Sequence, residues 1–441
     1  MRPIDRMLAA TMMATALAAI GGIGGQVAAA SAKTRPTAIV ALGDSFISGE
    51  GGRWLGNGSE SGGTRSGTDR AAYACGGWGC AYDPSRVYGP SEESGCHRSD
   101  VAPIESTTVP VDERVNLACS GARLANLWPA ASGGEAHFGE VPQVDRLAAV
   151  ARGADVRMVV VTAGANDAGF GELATGCALD WARSDVDEPR LCRADAEVEL
   201  RAALPRAEHG LERALRGVRQ ALTAGGERRS EYRLVVMGYA SPFPLVGHLF
   251  RYPESGWSRL REGGCPVWNA DADWAARDAV GALAATMRTA ASAAGAEFLD
   301  LRGALDGHQL CDRRARLAGS EGPSPLSAEW VRRLSFVQGS ARESLHPNAY
   351  GQRAISACLG LLYAAPRGDY ACRDTPGLFL DGMRIEPDQR GGAAISSTRW
   401  PGGRVTLARA APQWARRDST SKWRSRRRST VASKSGTTTA R

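Results

Sequence analysis

Ser45 follows Gly43-Asp44 at the end of an apolar run, residues 37–42, and is the first residue whose setting suggests chemistry. Glycine permits a sharp turn there, and a serine heading the next helical turn has its own backbone N–H facing any oxyanion bound at that end. A lone serine so placed more often serves only as an N-cap. Three further groups change that balance. After a second apolar run comes Asn116-Leu117-Ala118-Cys119-Ser120-Gly121-Ala122, which offers a glycine N–H at Gly121. After a third comes Gly164-Ala165-Asn166-Asp167-Ala168-Gly169-Phe170, which offers the side-chain amide of Asn166. Late in the chain, Glu343-Ser344-Leu345-His346-Pro347-Asn348 supplies the His346 imidazole, with the Glu343 carboxylate three residues before it. A nucleophile at one strand end, donors at the next two and a late histidine make the minimum set for acyl transfer. Asp44 and Asp167 read as turn or cap residues, as strand-end Asp commonly does.

Five short apolar runs must position these groups: residues 37–42, 114–118, 157–162, 233–238 and 296–301. The third and fourth are continuously apolar rather than alternating, which predicts strands covered on both faces in a parallel sheet. Helical patterns lie between them at 143–152, 195–224 with a break expected at Pro205, 271–294 and 348–364. Strands alternating with helices predict one α/β domain, and ligands of open α/β sheets bind at the carboxyl ends of the strands. Residues 49–95, rich in Gly and Ser, read as a long insertion of the kind that walls a site.

Arg2 and Arg6 precede an apolar, Ala-rich run, and Ala30-Ser31-Ala32 supplies a small-x-small cleavage pattern, so residues 1–32 read as a signal peptide. The expected product is a secreted hydrolytic domain over 33–374, followed by an extension over 375–441. No later run approaches the ~18–20 apolar residues of a spanning helix. Export makes the ten cysteines candidates for disulfides, although ten admit about 945 pairings. No CxxC and no HxxxH occurs, so no metal and no cofactor is expected. The net charge of +7 is local: residues 404–441 hold 11 Lys and Arg against one Asp and read as disordered low complexity. Residues 33–403 sum to −4, which removes the ground for nucleic-acid binding.

In these blocks the chain resembles the secreted actinobacterial branch of the SGNH (GDSL) esterases and lipases. The resemblance runs from about Lys33 to Cys372. Gly43-Asp44-Ser45, Gly121, Gly164-x-Asn166-Asp167 and Glu343-x-x-His346 match in order, as do Cys96-His97-Arg98-Ser99, Trp268-Asn269 and Gly307-His308-x-Leu310-Cys311. It implies a flavodoxin-like, three-layer α/β/α sandwich with a five-stranded parallel sheet, in agreement with the five runs. It also implies Ser45 as nucleophile, His346 as general base and an oxyanion hole of Ser45, Gly121 and Asn166. The family usually carries Asp where Glu343 stands, which makes Glu343 a candidate orienter of the imidazole beside a backbone carbonyl. Disulfides Cys96–Cys119, Cys177–Cys192 and Cys265–Cys311 are implied, leaving Cys75–Cys80 and Cys358–Cys372 as local pairs. His97, His137, His209, His248 and His308 lie outside the blocks and read as ordinary hydrogen-bonding residues.

The leading expectation is therefore a monomeric, secreted serine esterase or lipase acting on small-molecule or lipid esters. A carbohydrate or cell-envelope deacetylase and a phospholipase are the alternatives on the same fold. A non-enzymatic alternative is an envelope-binding protein whose basic tail contacts anionic polymers. An α/β-hydrolase lacks its Gly-x-Ser-x-Gly, and a dinucleotide enzyme lacks GxGxxG after the first strand.

Overall fold

A computed structural model describes residues 35–58, 63–244 and 250–388. The expected signal peptide over 1–32, His248 and the basic tail lie outside the described residues. Residues Thr37–Gly43 form strand β1, a hairpin is made by β2 (Ala72–Gly76) and β3 (Gly79–Tyr82), and β4 is Glu113–Asn116. Then follow β5 (Asp155–Thr162), β6 (Arg233–Met237), β7 (Glu297–Gly303), β8 (Tyr370–Arg373) and β9 (Arg384–Pro387). The central sheet runs β4-β1-β5-β6-β7-β8-β9. All its pairs are parallel except β8 with β9. This is an α/β fold with a mainly parallel central sheet.

Successive side chains of a strand point to opposite faces. In β5, Met158, Val159, Val160 and Val161 are all fully buried, as are Ala38 through Leu42 in β1, so both faces of the sheet are covered. Helix Arg193–Ala224 packs against both Gln143–Gly153 and Val280–Ala293, and Ala349–Ala364 packs on the short Pro103–Ser106 helix. That covering explains the continuous apolar runs: neither face needs polar residues.

The sheet is wider than the expected five strands. Strands β8 and β9 add two, and β9 lies beyond residue 374. Neither announces itself, because Tyr-Ala-Cys-Arg and Arg-Ile-Glu-Pro carry too few apolar residues to show a period. Both are held by tertiary pairing, and Cys358–Cys372 ties β8 to the last helix. Nor does Arg193–Ala224 break at Pro205. The proline sits on the exposed side, while Ala203, Ala207, Leu211, Ala214 and Leu215 carry one buried stripe past it. Packing of that stripe outweighs the ~3 kcal/mol helix penalty of proline.

Five disulfides are present, joining Cys75 to Cys80, Cys96 to Cys119, Cys177 to Cys192, Cys265 to Cys311 and Cys358 to Cys372. No described helix is long and apolar enough to cross a membrane. Among the described residues, the one acidic-and-cysteine cluster with metal-like spacing, Cys177, Cys192 and Asp271, has both sulfurs in a disulfide. Asp271 instead accepts from the backbone N–H groups of Cys192 and Arg193, each at 3.1 Å.

Candidate active site

The carboxyl ends of β1, β4 and β5 converge, and each contributes one block. β1 ends at Gly43, whose φ is +144°. A Cβ there would lie 1.9 Å from the Thr162 carbonyl oxygen, so no other residue fits. The amide of Gln143 clamps this glycine, accepting from its N–H at 2.7 Å and donating to its carbonyl at 2.8 Å. Asp44 then caps the short Ser45–Ser48 helix by accepting from the Phe46 N–H at 3.0 Å. Ser45 itself is half-buried at the head of that turn. Among the described residues, neither its backbone N–H nor that of Gly121 donates a hydrogen bond.

His346 approaches from the segment between β7 and the last helix. Leu345 and His346 pair with Arg332, through Leu345 N–H to Arg332 O and Arg332 N–H to His346 O, both 2.8 Å. Leu345 adopts a φ of +65°, an uncommon conformation for a residue with a branched side chain. Asn348 stops the segment by capping the Ala349–Ala364 helix, accepting from Tyr350 and Gly351 N–H. The outcome is that Ser45 Oγ lies 2.7 Å from His346 Nε2, and His346 Nδ1 lies 3.0 Å from the Ser344 carbonyl oxygen. With the proton on Nδ1, that carbonyl accepts from the imidazole and leaves Nε2 free to accept from the serine hydroxyl. Burial lowers the imidazole pKa below its ordinary value, against opposing contributions from Glu50 and the Ser344 carbonyl.

The Glu343 carboxylate bonds other groups than the imidazole. Its two carboxylate oxygens are taken by the Tyr88 hydroxyl at 2.8 Å, the Trp54 indole N–H at 3.0 Å and the Ser340 N–H at 2.9 Å. It closes a capping box on the turn Ala341–Glu343 and turns away from the ring that Ser344 holds. Glu343→Gln should therefore lower the melting temperature, because an amide N–H₂ would face a donor, yet leave kcat within about tenfold. Loss of a true orienting carboxylate costs about 10⁴ in kcat, and a fall of that size would restore Glu343 to the role.

The two other candidate donors follow β4 and β5, the strands that flank β1 in the sheet. Gly121 has a φ of +77° and the His137 ring is its nearest neighbour, 3.7 Å from where a Cβ would be. The Asn166 amide donates one N–H to the Ala122 carbonyl at 2.8 Å, which fixes the side chain and leaves its second N–H for the site. Asp167 accepts from the Leu124 N–H at 3.0 Å and so ties the third block to the second. Asp44 caps its own turn as its position predicts, whereas the Asp167 side chain reaches across to another loop.

Two groups escape a reading of the sequence. The Tyr239 hydroxyl, just past β6, donates to Asp44 and accepts from the Ala165 N–H at 3.2 Å, binding the first block to the third. Its only signal is its place after a buried strand. Burial raises the Asp44 pKa to about 7, against the hydrogen bonds from Tyr239 and Phe46. The second is Glu50, buried with His97, to which no sequence pattern points. Of the remaining histidines, His308 is stacked on Trp330 with Nδ1 2.7 Å from the Ala328 carbonyl, His137 Nε2 lies 2.9 Å from the Ser120 carbonyl, and His209 is exposed.

Among solved structures the chain is similar to an extracellular lipase from Streptomyces rimosus, at 22% identity over 72% of this chain and 94% of that one, with a TM-score of 0.39. It is similar to phospholipase A1 from Streptomyces albidoflavus at 21% identity over 72% and 95% of the two chains, TM-score 0.42. A lipase from a goat rumen metagenome covers 75% of this chain and 98% of its own at 14% identity, TM-score 0.32. No curated protein matches the chain. Residues 41–354, a span that contains every block described above, match one protein family throughout, and the chain belongs to it: the GDSL-like lipase/acylhydrolase family, a family of serine esterases.

Proposed function

We propose that this protein is a secreted esterase or lipase that cleaves carboxylic esters through an acyl-enzyme on Ser45. The observation that carries the reading is the 2.7 Å contact between Ser45 Oγ and His346 Nε2, with Nδ1 held by a main-chain carbonyl. His346 takes the serine proton as Oγ attacks the ester carbonyl, then gives it to the departing alkoxide as the tetrahedral intermediate collapses. Water, deprotonated by the same ring, hydrolyses the acyl-enzyme and returns Ser45 to its hydroxyl form. Negative charge on the carbonyl oxygen during both steps is met by the N–H groups of Ser45 and Gly121 and the Asn166 amide. The Ser344 carbonyl accepts from Nδ1–H and so steadies the ring while it carries the proton. Five disulfides support export, since such bonds persist in oxidising compartments.

Asn166→Ala is expected to lower kcat by about 10² to 10³, roughly 3–4 kcal/mol, with KM little changed, because the donor is spent only on the charged intermediate. Steady-state kinetics on p-nitrophenyl butyrate measures this. The reading itself is tested by a panel of p-nitrophenyl esters of rising chain length, phospholipid vesicles and acetylated sugars. Hydrolysis of at least one carboxylic ester is expected. A pure wild-type protein that cleaves none of them would end the proposal.

A further inference from the structure

Five residues beyond Ser45, the Glu50 side chain is 0% exposed, and nothing in the acyl-transfer steps uses it. A buried carboxylate is costly unless it is paired and hydrogen-bonded, so its partners matter. Both oxygens lie close to His97 Nδ1, at 2.8 and 2.9 Å, and one accepts from the Ser120 hydroxyl. Ser120 immediately precedes Gly121. The Cys96–Cys119 disulfide links the neighbours of His97 and Ser120, so the carboxylate, the ring and the hydroxyl are locked in one cluster. His97 holds a φ of +48°, uncommon for a non-glycine residue, and its ring stacks on Tyr88 at 4.8 Å between centroids.

The Glu50 backbone reaches the other two catalytic elements. Its N–H donates to the Ser45 carbonyl at 3.1 Å. The buried Gln352 amide donates to the carbonyls of Gly49, Glu50 and Pro347, at 2.8, 3.0 and 2.9 Å. At the next residue, a Cβ on Gly51 would sit 3.2 Å from His346 Cβ, so this turn rests directly against the base. One residue is thus bonded to the nucleophile turn, to the block that carries Gly121 and, through Gln352, to the segment that carries His346.

We propose that Glu50, held by His97, is a positioning residue of this site: its carboxylate anchors Ser120, and with it the Gly121 donor, to the turn bearing Ser45, and places a negative charge behind His346. The inference rests on the acyl-transfer reading above. Burial opposes ionisation of Glu50, but its contacts with His97 hold the carboxyl below the usual range, while His97 is raised by Glu50 against its own burial. Glu92, 3.5 Å from His97 Nε2, faces the pair, as do Tyr88, Glu343 behind Tyr88, His346 and, on the far side of Ser120, His137. A negative charge near His346 favours its protonated form, so removing that charge shifts the acid limb of kcat/KM to lower pH.

The test is Glu50→Gln, which keeps the shape and can still bond Ser120 and a neutral His97, compared with Ser120→Ala and the double variant. Each is to be melted to show that it folds, then assayed on p-nitrophenyl butyrate across pH 4 to 9. Expected are a kcat about ten- to a hundredfold lower in Glu50→Gln with KM held, an acid limb moved to lower pH, and a double variant no worse than the poorer single one. A folded Glu50→Gln with kcat within threefold of wild type and an unmoved limb overturns the proposal, as do losses that add or that appear in KM instead of kcat. If Glu50→Gln does not fold, Ser120→Ala decides alone: kcat within threefold overturns the proposal, and a larger loss with KM held supports it. Ser45→Ala, assayed alongside, separates the two levels. Activity retained in Ser45→Ala defeats the acyl-enzyme reading, whereas a silent Ser45→Ala beside a normal Glu50→Gln defeats only the role of Glu50.

Discussion

Ser45→Ala loses at least about 10⁴-fold in kcat on p-nitrophenyl butyrate while the protein stays folded. Both halves of this expectation come from the same turn. The hydroxyl is the only atom pair removed, and its one hydrogen bond is to His346 Nε2. The turn is held elsewhere: by the Asp44 cap on Phe46, the Gln143 clamp on Gly43 and the Asp44 N–H to the Thr162 carbonyl at 3.0 Å. Melting temperature should therefore change by no more than a few degrees. Substrate binding does not require Oγ, so the loss falls on kcat and not on KM. A folded Ser45→Ala that keeps a tenth of wild-type kcat would remove the covalent mechanism altogether.

His346→Ala should cost a similar factor, since a hydroxyl without its base is a weak nucleophile, and members of a catalytic unit are strongly non-additive. The double variant Ser45→Ala with His346→Ala should then be no slower than either single one. The pH dependence of the wild type carries independent information. Only the neutral imidazole can take the serine proton, so kcat/KM rises with pH as His346 deprotonates and then levels off. Burial depresses this pKa below its ordinary value, about 6.5 for a free histidine. The midpoint of the rise must therefore lie on the acid side of 6.5, and activity is lost as pH falls through it. A pH–rate profile in buffers from 4 to 9 measures this, and a midpoint above 7 would mean that Glu50 and the Ser344 carbonyl outweigh burial of the ring. In His346→Ala the residual rate should lose that limb.

The candidate site positions are legible because each depends on a local feature. Gly43 is forced by its φ and by the Thr162 carbonyl, Asp44 by a cap, Gly121 by a left-handed backbone, and each falls where an apolar run stops. Strand runs in β1, β5 and β6 read directly for the same kind of reason: covering on both faces demands unbroken apolar sequence. The last two strands, β8 and β9, do not read, since four residues with mixed polarity gain their pairing from a neighbour already in place.

Which group orients His346 is a different kind of question. Glu343 stands at the spacing where a carboxylate serves the ring in many relatives of this fold, and its side chain is long enough to tempt that assignment. Trp54, Tyr88 and Ser340 compete for it, and two of these come from an insertion 289 and 255 residues earlier in the chain. These three donors hold the Glu343 carboxylate, and the Ser344 carbonyl lies against His346 Nδ1 instead. Glu50 and Tyr239 belong to the same class: one acidic residue in a glycine-rich loop and one tyrosine after a strand carry no pattern until the chain brings Ser120, His97, Asp44 and Ala165 beside them. Residue identity and strand-end position thus specify the reacting groups, because turn geometry and burial act within a few residues. Who steadies those groups is settled by packing, since a buried polar atom bonds whichever partner the folded chain places within about 3 Å of it.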